Sequence, residues 1–264
     1  MRRILLVLFL IALIARYASP YQEIDVVNGG IIQGKVIWKT GAPPAQTIPV
    51  MKDKAICGDS KVISGSPNSK INGVSYAVVY LEGIAQGKKN AVTQKLQLDQ
   101  KQCEYSPHVL LVPSGSDVEI LNSDATLHNV HTYNLGKPSA VIAGRPATFF
   151  NLAFPVKGHK VTRKFSETGK FLSLCDAGHP WMSATIVVTE HPYYVLTDSQ
   201  GNYRLENVPA GTYKIHVWHQ SAPKLENNTN NQFLSAKPLE QTKDVTVPSN
   251  GSSSVNFELT WTAP

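Results

Sequence analysis

Apolar and β-branched residues fall in short runs along the chain rather than at helical spacing. Ile31–Trp38, Tyr76–Leu81, Val109–Val112 and Val118–Leu121 are such runs, and Thr148–Ala153, Ala184–Val188, Tyr213–Trp218 and Val255–Leu259 continue the series. Clusters of Gly, Pro, Asn, Asp and Ser separate them at short intervals, as in β-sandwiches and barrels. Outside the first twenty residues no window of twelve or more carries a helical period, so the pattern predicts an all-β protein. Ser64–Asn72 and Ser221–Pro238 have the composition of loops, the second around its Asn227–Asn231 run.

The first residues break this pattern. Arg2 and Arg3 precede an uninterrupted apolar stretch, Ile4–Ala15, followed by Arg16 and the small residues Ala18 and Ser19. That is the order of a secretory signal, and it predicts a periplasmic or secreted protein. Arg16, Tyr17 and Pro20 make a poor cleavage site, so residues 1–19 fit either a removed leader or a retained anchor. Membrane contact is expected only in the second case. No apolar run reaches the roughly 18–20 residues of a spanning helix, which excludes a polytopic membrane protein. The net charge is +6, and three of those charges are Arg2, Arg3 and Arg16. The modest excess beyond the leader gives no reason to expect a nucleic-acid partner.

Export makes the cysteine count informative. There are 3 cysteines, Cys57, Cys103 and Cys175, and an odd number suggests one pair plus one thiol with other work. Cys175 has His179 and Met182 close behind it, whereas Cys57 and Cys103 have no such neighbours apart from His108. A Cys57–Cys103 disulfide with Cys175 free is the preferred pairing.

A thiolate, an imidazole and a thioether on one short loop are soft ligands of the kind copper prefers. A second imidazole comes from Asn122–His131, which contains His128 and His131. In an extended strand these two have opposite parity and face opposite sides, so only one is expected to reach the site. Two imidazoles, one thiolate and a weak axial thioether form the blue-copper electron-transfer set. His216 and His219 also differ in parity along Tyr213–His219 and are read as structural, and His108, His159 and His191 receive no functional role.

With these residues in place, Leu96–Glu190 resembles a cupredoxin domain. In that family an early His followed by Asn joins a Cys, a His and a Met from one late loop. His128-Asn129 matches the first element, and Cys175, His179 and Met182 match the second in order. The loop spacing also resembles half of the binuclear copper loop of cytochrome oxidase subunit II. That centre needs a further Cys where this chain has Phe171, so one copper ion is expected. The resemblance implies Cys175 as thiolate ligand, His128 and His179 as neutral imidazole ligands, and Met182 as the long axial ligand. Asn129 and Asp124 are expected to hold the ligands by hydrogen bonds, with His131 as a reserve ligand or a surface residue. In this fold the second His ligand has an edge near the surface. Pro180 and Trp181 are therefore the expected docking face for a redox protein partner, unless Trp181 simply packs the loop.

The C-terminal part carries its own resemblance. Thr197-Asp198, Gly201-Asn202-Tyr203 and Val208–Tyr213 look like the turns of a carboxypeptidase-regulatory-like domain, a small transthyretin-like sandwich. No peptidase metal motif accompanies it. Gly34-Lys35-Val36 and Ala77–Leu81 resemble the opening strands of the same domain. The order of parts is similar to that of exported proteins described as methylamine-utilization-like. The expected organisation is a leader or anchor at 1–19, N-terminal strands at 24–92, a copper domain at 93–190 and a regulatory-like sandwich at 191–264. Residues 24–92 either complete the last sandwich, which the copper domain then splits, or form a separate part. The function expected from all this is single-electron transfer between extracytoplasmic partners, without enzymatic activity. The alternatives are a binding or structural sandwich that recognises a surface or polysaccharide, and copper sequestration.

Overall fold

The computed structural model describes residues 21–42, 44–45, 47–62, 72–90, 92, 95–140, 146–220 and 237–261, with backbone alone at 223–224 and 234–235. The leader read at 1–19 lies outside the described residues, as does most of the two loop-like stretches. Among the described residues no helix is long and apolar enough to cross a membrane. The one helix among them is the short turn Lys54–Cys57.

Strands from the middle of the chain form one sandwich. Its larger sheet orders Pro146–Phe154, His128–Pro138, Gly169–Leu174, Ser183–Thr189 and Val109–Pro113, the last pair parallel. The facing sheet orders Lys160–Phe165, Ser116–Asn122, Gln97–Lys101 and Glu104–Ser106. Alternation places the core: Val118 and Ile120 of Ser116–Asn122 point inward with Leu98, Val112, Phe165, Phe171 and Ile186. Lys160–Phe165 and Leu239–Val247 are strands that no apolar run marks, because their outward positions are charged or polar.

The second sandwich takes its central strands from the N-terminal part. Gly30–Trp38 lies between Asn202–Val208 on one side and Ser252–Ser254 with Phe257–Leu259 on the other. Val78–Glu82 lies between Tyr194–Leu196 and Gly211–His219, and Leu239–Val247 follows at the edge. The run read as Val255–Leu259 is interrupted because the chain crosses close over Gly34. A Cβ at Gly34 would stand 1.8 Å from the Val255 carbonyl oxygen. The pairing joins segments more than a hundred residues apart, and the middle sandwich occupies the interval.

One strand ties the two sandwiches together. Every residue of Ser183–Thr189 is buried, whereas a sandwich strand usually shows water one face. Ala184, Ile186 and Val188 face the middle core, while Val187 packs with Val78, Val109 and Trp218 across the junction. His108 and His219 also sit at this junction. The His108 Nδ1–H donates to the Ser183 carbonyl at 3.0 Å, and the His219 ring stands edge-on to Trp38. His216, of opposite parity, instead meets Glu82 at 2.7 Å on the outer face.

Two measurements follow. Burial lowers both His108 and His219 to about 4, with nearby His108 adding to the effect at His219. Both are neutral in the fold but charge near 6.5 when unfolded, so the unfolded chain binds more protons between those values. Stability to urea should therefore be full above pH 6.5 and fall steadily toward pH 4, and a flat profile would remove these groups from the junction. Separately, a chain beginning at residue 96 should leave residues 191–261 open to hydrogen exchange and prone to aggregate, because both sheets lose their central strands. Full protection of 191–261 in that chain would contradict the pairing.

Candidate metal centre

The donor residues come from two stretches of chain. His128 begins the second strand of the larger middle sheet, and Cys175 and His179 lie on the loop joining its central strand, Gly169–Leu174, to Ser183–Thr189. Gly178 turns that loop at a φ of +96°, a conformation other residues adopt with strain. Both imidazoles are fully buried, and Cys175 is nearly so. Their facing atoms converge: Cys175 Sγ lies 3.6 Å from His179 Nδ1 and 4.0 Å from His128 Nδ1, and the two Nδ1 atoms are 3.2 Å apart.

The far side of each ring explains why Nδ1 faces inward. His128 Nε2 lies 2.9 Å from an Asp124 carboxylate oxygen, and His179 Nε2 lies 3.0 Å from one of Asp53. An ionised carboxylate only accepts, so each Nε2 must carry the proton and donate it. Each Nδ1 is then left with a lone pair aimed at Cys175. Three electron-pair donors thus face one another in a dry interior, where unpaired polar atoms are costly. A soft cation satisfies all three at once.

Asp124 is itself held by a turn. Gln102 and Cys103 form a two-residue hairpin loop with φ of +55° and +56°, the twist that matches antiparallel strands. Their backbone N–H groups both donate to the Asp124 carboxylate at 2.7 Å. The Asp124 N–H donates in turn to Asn122 Oδ1. Asn129 takes Ala177 N–H on its Oδ1 and donates from Nδ2 to Asn151, both at 2.9 Å, so it pins the ligand loop to the neighbouring strand.

Burial pushes the Cys175 thiol up, and the Asp176 charge adds to this. The backbone N–H groups of Asn129, Ala177 and His179 pull it the other way. Burial also lowers His179 to about 4, helped by His128 and opposed by Asp53, which keeps the ring neutral near pH 7. Met182 is fully buried in the same core as Cys175, and its backbone N–H donates to the His179 carbonyl at 3.0 Å. His131 lies outside the cluster. Its Nδ1 meets the Asp176 carboxylate, its Nε2 lies 2.9 Å from Thr148 Oγ1, and its ring stacks on Tyr133.

The docking face expected at Pro180 and Trp181 needs correction. Trp181 is only 1% exposed, and its indole N–H donates to the Cys103 carbonyl at 2.7 Å. An indole whose one polar atom is satisfied inside the core is scaffold. Pro180 is half-buried beside it. His179 likewise presents no edge to solvent, because a segment from the N-terminal part covers it.

That segment went unread in the sequence. Thr47–Pro49 pairs with Ser60–Val62, and the turn between them carries Asp53 and Cys57 over the ligand loop. Val50 fixes it in the middle core, Lys52 Nζ donates to the Ala177 carbonyl at 3.1 Å, and Cys57 bonds to Cys103 as expected. Cys175 remains free. The disulfide sulfurs come within 4.8 Å of a His179 ring nitrogen, but bridged sulfurs carry no thiolate and leave the donor set at three. The only sequence signal for Asp53 is its position four residues before Cys57.

The chain is thus all-β, with a middle β-sandwich inserted between the strands that form a second β-sandwich. A family model, the carboxypeptidase regulatory-like domain, matches residues 175–260. The match begins inside the ligand loop and takes in Ser183–Thr189, which pairs in the other sandwich. No curated protein matches the sequence. Among solved structures, a purple cupredoxin from Nitrosopumilus maritimus is similar at 24% identity over 35% of this chain and 98% of its own, with a TM-score of 0.29. Amicyanin from Paracoccus versutus is similar at 19% over 38% and 86%, with a TM-score of 0.30. A copper-containing nitrite reductase from Thermus scotoductus is similar at 22% over 40% and 24%, with a TM-score of 0.28.

The Cys57–Cys103 bridge closes a separation of 46 residues, so loop entropy alone makes it worth about 4 kcal/mol. Replacing both cysteines with Ala should lower urea stability by that order. Unfolded but unreduced protein should titrate one thiol, from Cys175, and a count of three would overturn the bridge.

Proposed function

We propose that the protein is an exported carrier of one copper ion that exchanges single electrons between extracytoplasmic partners. The observation that carries this reading is the buried convergence of two imidazole lone pairs and one thiol sulfur, with both ring protons committed to carboxylates. Two imidazoles and one thiolate suit copper, whereas structural zinc sites close with four strong ligands. Bound copper would supply a one-electron Cu(II)/Cu(I) couple. Cys175 would bind as thiolate, His128 and His179 through Nδ1, and Met182 as the weak axial ligand. Asp124 and Asn129 hold these side chains in place before any ion arrives, and the core keeps water away from them. This reading assigns no catalytic role, since the ligand set takes up the His and Cys groups that converge there. The charged and apolar leader and the disulfide support export.

The covered edge of His179 favours a second reading, in which the copper is retained and serves sequestration or structure. Partner exchange separates the two readings: a carrier is reduced and reoxidised quickly by small redox proteins, whereas a retained ion exchanges slowly with both proteins and chelators.

Purified protein should bind one equivalent of copper and show intense visible thiolate-to-copper absorption. Cys175→Ala should abolish that absorption. Met182→Leu should keep copper bound while shifting the reduction potential, because the axial bond is weak. An unchanged spectrum in Cys175→Ala overturns the assignment.

A further inference from the structure

Asp53 is placed by unusual local choices. It occupies the N-cap position of Lys54–Cys57, where an Asp side chain ordinarily accepts a hydrogen bond from the helix's own first turn. Its carboxylate makes no such bond. Its backbone stands in the left-handed region, at a φ of +57° and ψ of +34°, which an L-residue adopts at a cost. The carbonyl of Asp53 accepts from both Ile56 and Cys57 at 2.9 Å, so the turn itself is formed. The side chain instead reaches across 126 residues of sequence to His179 Nε2, and it remains 24% exposed. A strained backbone with its cap left unused, beside a ring aimed at the donor cluster, indicates a role outside the turn.

We infer that Asp53 is a positioning residue for the metal centre, which fixes the tautomer of His179 and biases the bound ion toward its more positive oxidation state. The inference rests on the copper reading above. Asp124 already does the same for His128, so both imidazoles carry a carboxylate on their outer nitrogen. With the Cys175 thiolate, three negative charges then surround one ion. They favour Cu(II) over Cu(I) because their attraction grows with the positive charge of the ion. The opposing cation is Lys52, whose Nζ lies on the Ala177 carbonyl. The covering segment is also fastened to the middle sandwich by Cys57–Cys103 and by Lys61, which bonds Glu104 at 3.1 Å.

The test compares Asp53→Asn, Asp53→Glu and Lys52→Ala in the full chain. Removing the charge of Asp53 should weaken Cu(II) affinity about 10–100-fold, as for other groups that orient metal-bound imidazoles. Cu(I) affinity should fall at least tenfold less, which raises the reduction potential by about 59 mV per factor of ten for one electron. Asp53→Glu should recover part of the shift. Lys52→Ala disturbs the covering segment without touching His179 and should not raise the potential. Thermal melting and a thiol count of one establish that each variant is folded and bridged. If the wild type binds copper but Asp53→Asn leaves both affinity and potential unchanged, the inference fails and the copper reading stands. The inference also fails if Lys52→Ala raises the potential as much as Asp53→Asn, since loosening the segment is then sufficient. Failure of the wild type to bind copper overturns the copper reading and the inference together.

Discussion

The centre depends on two imidazole–carboxylate hydrogen bonds. A neutral imidazole has one donor and one acceptor nitrogen, and whichever nitrogen is bonded to a carboxylate becomes the donor. Asp124 and Asp53 therefore decide, from outside the cluster, that both rings point their lone pairs at Cys175. Without those bonds either ring could turn its N–H inward and satisfy its neighbour. The specificity of the site thus lives one layer behind the ligands, in groups held by a hairpin turn and a short N-terminal helix turn.

These two supports come from different parts of the chain, and this makes the topology consequential. Asp124 belongs to the middle sandwich and is gripped by the Gln102–Cys103 turn. Asp53 lies between Gly30–Trp38 and Val78–Glu82, two strands of the outer sandwich. The disulfide joins the two supports directly, because Cys103 is one of the turn residues that hold Asp124 and Cys57 follows Asp53 by four positions. An isolated middle sandwich would keep His128, Cys175, His179 and Met182 but lose the carboxylate on His179.

Much of the architecture could be read in the residues because its signals are local. Alternation and turn composition mark strands such as Val118–Leu121, and Cys175, His179 and Met182 lie within eight residues of one another. The parity argument separates His128 from His131, which the strand places on opposite sides. Strands with charged outer faces, such as Leu239–Val247, carry too few apolar positions to stand out. Trp181 misled for a related reason: a large aromatic beside a ligand says nothing about direction, and its indole N–H found a partner inside. Asp53 was illegible because its role depends on a contact 126 residues away, and an Asp before a short helix reads as an ordinary cap.

On the proposed carrier reading, the covered edge of His179 also changes what exchange with a partner requires. A buried ring bonded to a carboxylate that is itself mostly buried is separated from solvent by the covering segment rather than by a thin apolar patch. The other short way out runs through the backbone, since Asp176 follows Cys175 directly and its carboxylate meets His131 at the surface. That connection is covalent from Cys175 to Asp176 and needs one hydrogen bond beyond it. The same loop that carries Cys175 and His179 therefore also carries, through Asp176, a second polar contact between the cluster and the surface.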